Sequence, residues 1–199
     1  MSLNQVRVGV GLTGSFCTFA PVWEALEELK GRGAVLTCVF SYHAQQFESR
    51  FGKPEEFLSK ARELSGTEPV CTIPGAEPLG PKNLLDVFLI APCTGNTLAK
   101  LAGGITDSPV LMAAKGHLRN HKPLVIFLSS NDALGLNLCN VGTLLNTKNI
   151  YFVPFGQDEP ERKPNSLLAR PDQIPAALEA ALRGEQVQPI LLPYGEKQE

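Results

Sequence analysis

Short, uniformly apolar runs alternate with stretches of helical period along the whole chain, and that alternation leaves few folds open. Val6–Val10 is β-branched at alternate positions and reads as a first strand. Ala34–Phe40 reads as a second, Pro69–Ile73 as a short one, Leu84–Ala91 as a buried one, and Pro123–Leu128 and Ile150–Val153 as the last two. Pro21–Lys30 places Val22, Ala25, Leu26 and Leu29 on one helical face, with proline in the first turn and Gly31 and Gly33 behind it. Gln45–Gly52 and Pro54–Leu64 form a helix interrupted at Gly52-Lys53-Pro54, and Asn96–Gly103, Asp107–Lys115, Gly135–Leu145 and Pro171–Arg183 supply the remaining helices. Strands separated by helices pair in parallel through right-handed crossovers, and short apolar strands suit a sheet covered on both faces. The expectation is an α/β fold, a three-layer sandwich around a parallel sheet of five to six strands.

A chain of 199 residues is expected to form one domain, residues 1–199, with 185–199 as a C-terminal tail that frays at Tyr194–Glu199. The 43% hydrophobic content excludes a disordered chain. A charged fraction of 19%, below the roughly 25% of ordinary soluble domains, predicts that other subunits cover part of the surface. A net charge of −2 offers no field to attract nucleic acid or an anionic membrane. No run approaches the ~18 apolar residues that span a bilayer, and Met1–Gln5 lacks the regions of a signal peptide, so the expected location is the cytoplasm. Cys17, Cys38, Cys71, Cys93 and Cys139 form no CxxC pair and read as free thiols, with no metal site.

In such folds ligands sit at the carboxyl ends of the strands. After the first strand come Gly9-Val10-Gly11-Leu12-Thr13-Gly14-Ser15. Gly9, Gly11 and Gly14 match the dinucleotide spacing, but Gly9 lies inside the strand, where the first glycine should open the turn. The second strand ends Phe40-Ser41-Tyr42-His43, with no acid for ribose hydroxyls, so NAD is not expected. No Gly-Lys-Ser/Thr marks a P-loop. What remains is a small, hydroxyl-rich turn: either the amides with Thr13, Gly14 and Ser15 hold one phosphate, or the turn is simply tight. Ser41 reaches such a phosphate or is a plain polar strand end. His43 beside it is a contact or a surface residue.

The most specific stretch is Leu89–Asp107. A buried strand stops at Pro92, small and hydroxyl residues follow, and Asn96 is a good helix cap. Amides exposed at Cys93–Thr97 suit anionic or carbonyl atoms. Gly103 and Gly104 allow a flat ring to approach.

Gly11-Leu12-Thr13-Gly14-Ser15 together with Ala91-Pro92-Cys93-Thr94-Gly95-Asn96-Thr97-Leu98-Ala99-Lys100 resembles the flavoprotein family of cysteine decarboxylases and prenyl-flavin synthases. The resemblance runs from the first strand to about residue 155 and implies a flavodoxin-like fold, bound FMN, and assembly as trimers or dodecamers. It places Gly14 and Ser15 in the phosphate loop, Ser41 at the strand-two hydroxyl, and Thr94, Asn96 and Thr97 in the flavin-contacting segment. Ala76–Lys82, Ser130–Asn137 and Lys148–Asp158 resemble one branch of the family, from spore-forming bacteria. That branch implies work beside a different, catalytic subunit on aromatisation of a dihydropyridine dicarboxylate. Two family features are missing. Cys71–Glu77 holds no histidine where the decarboxylases carry one, and Leu128–Leu134 replaces their Pro-x-Met-Asn. Cysteine decarboxylation is therefore not expected.

Removing two electrons and two protons needs a flavin or nicotinamide, while the protein positions the substrate. Two carboxylates call for cations, of which Lys82, Arg119, Lys122, Arg162 and Lys163 are candidates. Arg162 and Lys163 stand out because the proline-rich loop Pro154–Pro164 closes over a site in this reading. Each also reads as a solvated surface charge. Glu77 and Asp132 are candidate bases, Asp132 reading better as a turn residue. His117 and His121 read as surface, Cys93 as a small packed residue or a reactive thiol, and Phe155 as an exposed partner contact. Three functions stay open: a flavin-binding subunit of an oxidoreductase, a non-catalytic partner that keeps the phosphate loop, or an independent flavin enzyme of the parent family.

Overall fold

The computed structural model describes residues 2–193; Tyr194–Glu199, expected to fray, lie outside them. Five parallel strands form the centre of the sheet: β1 (Arg7–Leu12), β2 (Val35–Phe40), β3 (Val87–Cys93), β4 (Leu124–Ser130) and β5 (Ile150–Phe152). Their order is β2-β1-β3-β4-β5, the flavodoxin-like order, as the sequence led us to expect. All seven residues of β3 are buried, as are the first six of β4. That is why these strands read as unbroken apolar runs.

The helices are α1 (Phe19–Gly31), α2 (Tyr42–Gln46), α3 (Pro54–Ser65), α4 (Ile73–Ala76), α5 (Gly95–Ala102), α6 (Pro109–Arg119), α7 (Leu138–Leu145) and α8 (Ile174–Leu182). α1 and α8 touch each other and β3, while α6 packs on β2, β3 and β4 and α3 on β2. Gly9 and Gly11 admit this packing: a Cβ on Gly9 would lie 2.5 Å from Leu85 and Phe88, and one on Gly11 2.8 Å from Val110 of α6. They are packing glycines, not the opening of a dinucleotide turn.

Several expectations are corrected. The proline-rich segment after β5 hides two further strands, β6 (Phe155–Gly156) and β7 (Leu167–Ala169), which pair antiparallel with each other. β7 also pairs antiparallel with Ser129 and Ser130, so the upper half of β4 has a neighbour other than β5. Phe155 is 2% exposed and packs 5.9 Å from Phe152, so it is a core residue and no partner contact. Within the expected tail, residues 190–192 are docked, since Phe155 N–H donates to Ile190 O and Leu192 N–H to Phe155 O. Pro69–Ile73 reduces to one bridge, Val39 with Val70, because Thr72 caps α4 and Pro74 lies in its first turn. α7 begins only at Leu138, since turns bonded at Asp132 occupy the residues before it.

His117 is also not on the surface. It is 3% exposed, and its Nε2–H donates to Pro123 O at 2.9 Å. Burial lowers the imidazole pKa from 6.5 to about 4. The folded form thus resists protonation that the unfolded chain accepts, so the stability is whole above pH 6.5 and is lost as pH falls toward 4. Wild type should lose about 3 kcal/mol more than His117→Gln between pH 7 and pH 4, measured by urea unfolding. Parallel pH profiles for the two proteins would refute this.

Candidate functional site

The strand order reverses between β1 and β3, and at such a point the segments leaving the two strands part to opposite faces. Here those segments are Thr13-Gly14-Ser15 after β1 and Thr94 with α5 after β3. Two contacts bring them together at one rim. Thr13 Oγ1 donates to Pro92 O at 2.6 Å and accepts from Thr94 N–H at 3.1 Å. Ser41 N–H donates to Leu12 O at 2.9 Å, bringing the end of β2 beside the same turn. A Cβ on Gly14 would lie 3.4 Å from that of His43.

A cavity of about 600 Å³ opens between these turns, well within the range of small-molecule sites. Its walls include three helix caps. Ser41 Oγ accepts from Ala44 N–H at the start of α2, Thr94 Oγ1 from Thr97 N–H at the start of α5, and Ser108 Oγ from Leu111 N–H at the start of α6. First-turn amides have no partner inside their own helix, so three amide ends surround one space. The Ser41 and Ser108 hydroxyls still have a proton to donate, while that of Thr94 goes to Thr97 Oγ1 at 3.1 Å. Phe16, Tyr42, His43 and Phe47 supply ring walls, with His43 and Phe47 5.2 Å apart. The cation on this wall, Lys100, is bound to Asp107 at 2.5 Å, so the cavity presents dipoles rather than net charge.

A second cavity, about 520 Å³, adjoins the first and shares Gly14 and Thr94 with it. Ser15 faces this one, its Oγ 2.7 Å from Ser129 Oγ. Lys163 stands on its wall, bonded to Asp158 at 3.1 Å and Glu159 at 2.9 Å. These bonds, to Glu159 first and then Asp158, raise the lysine pKa above its ordinary value.

The expected site residues therefore divide. Gly14, Ser41, Thr94, Asn96 and Thr97 gather on the larger cavity, and Ser15 and Lys163 on the smaller. Thr13, Cys93 and Arg162 line neither. Thr13 is 1% exposed and bonded to backbone, Cys93 is fully buried, and the Arg162 side chain is 83% exposed and paired with Glu159. The cap of α5 is Thr94 rather than Asn96, which stays exposed on the cavity wall. Asp132 behaves as a turn residue: Ser130 Oγ and Asn137 Nδ2 both donate to it. Glu77, Lys82 and Arg119 are exposed and line neither cavity, and Lys122 sits with Arg7 and Asp86 at the amino ends of the strands, the opposite rim. Sequence reasoning misses Ser108 and Lys100. Ser108-Pro109 carries a readable signal, a capping residue before a first-turn proline.

The model of the family described as Flavoprotein matches residues 1–179. The B subunit of dipicolinate synthase from Bacillus subtilis (strain 168) is 50% identical over 191 residues, 96% of each chain. The crystal structure of the dipicolinate synthase B subunit from Bacillus halodurans C is 48% identical, covers 97% of this chain and 99% of that one, and superposes with a TM-score of 0.89. The FMN-dependent cysteine decarboxylase SpaF shares the fold, with a TM-score of 0.66 at 24% identity over 91% of this chain and 97% of that one.

Cys93 has no place in the chemistry of an open site. Burial pushes its thiol far above the ordinary range, and it pushes Cys38 to about 12. A thiol reagent should therefore label exposed Cys17 and Cys139 quickly, while Cys38 and Cys93 wait for unfolding. Peptide mapping of the fast phase checks this, and early label on Cys93 would contradict it.

Proposed function

Because the chain belongs to the flavoprotein family, we propose that it works as the B-type subunit of a dipicolinate synthase, holding FMN in the crevice between β1 and β3. The observation that carries the cofactor reading is the meeting of three capped helix starts on one cavity of about 600 Å³. That donor set fits a phosphorylated, polyhydroxylated, ring-bearing ligand. The Gly14 and Asn96 amides and the Ser41 hydroxyl meet the phosphate, and the Phe16, Tyr42, His43 and Phe47 rings offer flat apolar surface. FMN, when bound, supplies a two-electron acceptor.

In this reading the smaller cavity receives the dihydropyridine dicarboxylate, which loses two electrons and two protons to become aromatic. Lys163 there meets one carboxylate by exchanging its bonds to Asp158 and Glu159 for the ligand. Ser15 and Ser129, which share one hydrogen bond, leave one hydroxyl proton to donate from the wall, while that of Ser130 is held by Asp132. Arg162, on the same loop, joins only if that loop shifts. The partner is the A-type subunit of a dipicolinate synthase, and the chain forms a homo-oligomer, trimer or dodecamer. Support for assembly comes from large apolar side chains left exposed: Phe47 on the cavity wall and Leu136 and Leu138 at the start of α7. Among the described residues no helix is long and apolar enough to cross a membrane. We place the protein in the cytoplasm of a spore former.

The test is a titration with FMN, followed by flavin fluorescence, and an assay with the A-type partner in which FMN and NADP are varied independently. Wild type should take up FMN, and Ser41→Ala should weaken binding about tenfold or more, the share of a hydrogen bond to a charged group. Ser15→Ala and Thr94→Ala should lower the activity of the complex. No uptake of FMN, with full activity in both variants, would overturn the flavin reading in favour of a non-catalytic companion of the A-type chain.

A further inference from the structure

We propose that Thr13 is a positioning residue: it touches no ligand, but ties the β1 turn to the β3 turn and so sets the width of the crevice at the switch point. The backbone ladder between β1 and β3 ends at the pair Gly11 and Ile90, two residues short of the rim. Beyond it the pairing of β3 with β4 also shifts register, between Ile90 and Cys93. Pro92 has no N–H to continue a ladder, and its carbonyl needs a donor.

Thr13 fills this gap. Its hydroxyl donates to Pro92 O at 2.6 Å and accepts from Thr94 N–H at 3.1 Å, so one buried side chain replaces the missing rung in both directions. At 1% exposure it has no surface to offer a ligand, and it lines neither cavity. The next residue, Gly14, and the bonded residue, Thr94, are the two that both cavities share. A change in the Thr13 tie therefore moves the common wall of both spaces at once.

The inference rests on the flavin reading for one of its two readouts only. Thr13→Val keeps shape and removes both bonds, and Thr13→Ser keeps both. In Thr13→Val the Thr94 amide should exchange its hydrogen about tenfold faster, the share of one buried hydrogen bond, and FMN should bind about tenfold more weakly; Thr13→Ser should stay within about threefold of wild type in both. Exchange is read by NMR on the full-length chain. Val125→Ala, a cavity variant at the amino end of β4, away from the rim, should lower stability and leave FMN affinity unchanged, which separates positioning from general destabilisation. If Thr13→Val does not fold, Thr13→Ala carries the same comparison. Wild-type exchange at Thr94 in the valine variant, or a serine variant as damaged as the valine one, would overturn the tie. A wild-type chain that takes up no FMN, while the valine variant still frees the Thr94 amide, would uphold the tie and sink the flavin reading.

Discussion

The reversal of strand order between β1 and β3 is the constraint on which the rest of the molecule hangs. β1 pairs with β2 on one side and β3 on the other, all parallel, so three carboxyl ends reach the same rim. The segments leaving β1 and β3 part to opposite faces of the sheet, and a crevice opens where no further ladder is possible. The residues of the rim take their positions from that parting. Gly14 follows the last turn of β1, Thr94 caps α5 directly after β3, and Ser41 hangs from the carbonyl of Leu12. The rim is held by backbone groups and by hydroxyls bonded to them rather than by charge pairs, which fixes small residues at a separation that the ladder alone does not define.

How much of this the sequence discloses depends on how each feature makes itself felt along the chain. Buried parallel strands produce apolar runs, so β1 to β5 are legible. β6 and β7, two and three residues long, carry no period, and the charges of Gln157–Lys163 make their surroundings read as solvated. Phe155 thereby reads as exposed, although it packs inward on Phe152. His117 is legible in principle. Val110, Ala113, Ala114 and His117 fall on one helical face, and all four are buried. A helix taken to end at Lys115 stops one turn short of showing it. Thr13 is legible as a small polar residue in the right turn, but residue type does not tell whether a hydroxyl faces a ligand or its own backbone. Cys93 is ambiguous for the same reason, and burial resolves it as packing.

The charges near the rim are spent on one another. Lys100 holds Asp107, and Lys163 holds Asp158 and Glu159. What the cavity walls offer an anion is therefore helix amides, whose partial charges act only within the first turn and need no counter-ion. This agrees with a chain whose net charge is only −2. It also separates the two cavities in kind. The larger has three helix starts and rings and suits a ligand that is anionic at one end and flat at the other. The smaller has hydroxyls and one compensated lysine, so a carboxylate entering it must displace two acids from Lys163.

The same geometry ties the proposed chemistry to assembly. Phe47 is 52% exposed although it forms part of the cavity wall, and His43, whose ring lies tilted against it, is exposed as well. A ring lying against this pair would keep its other face in water. Flavin chemistry gains from a site closed to solvent, because electrostatic interactions there are stronger and side reactions are suppressed. α2, which carries this pair at its start and end, is only five residues long, and Phe51 just beyond it is exposed too. A second chain laid over Phe47 would cover the ring and an exposed apolar side chain together. In that arrangement the exposed apolar surface and the open side of the cavity are one feature.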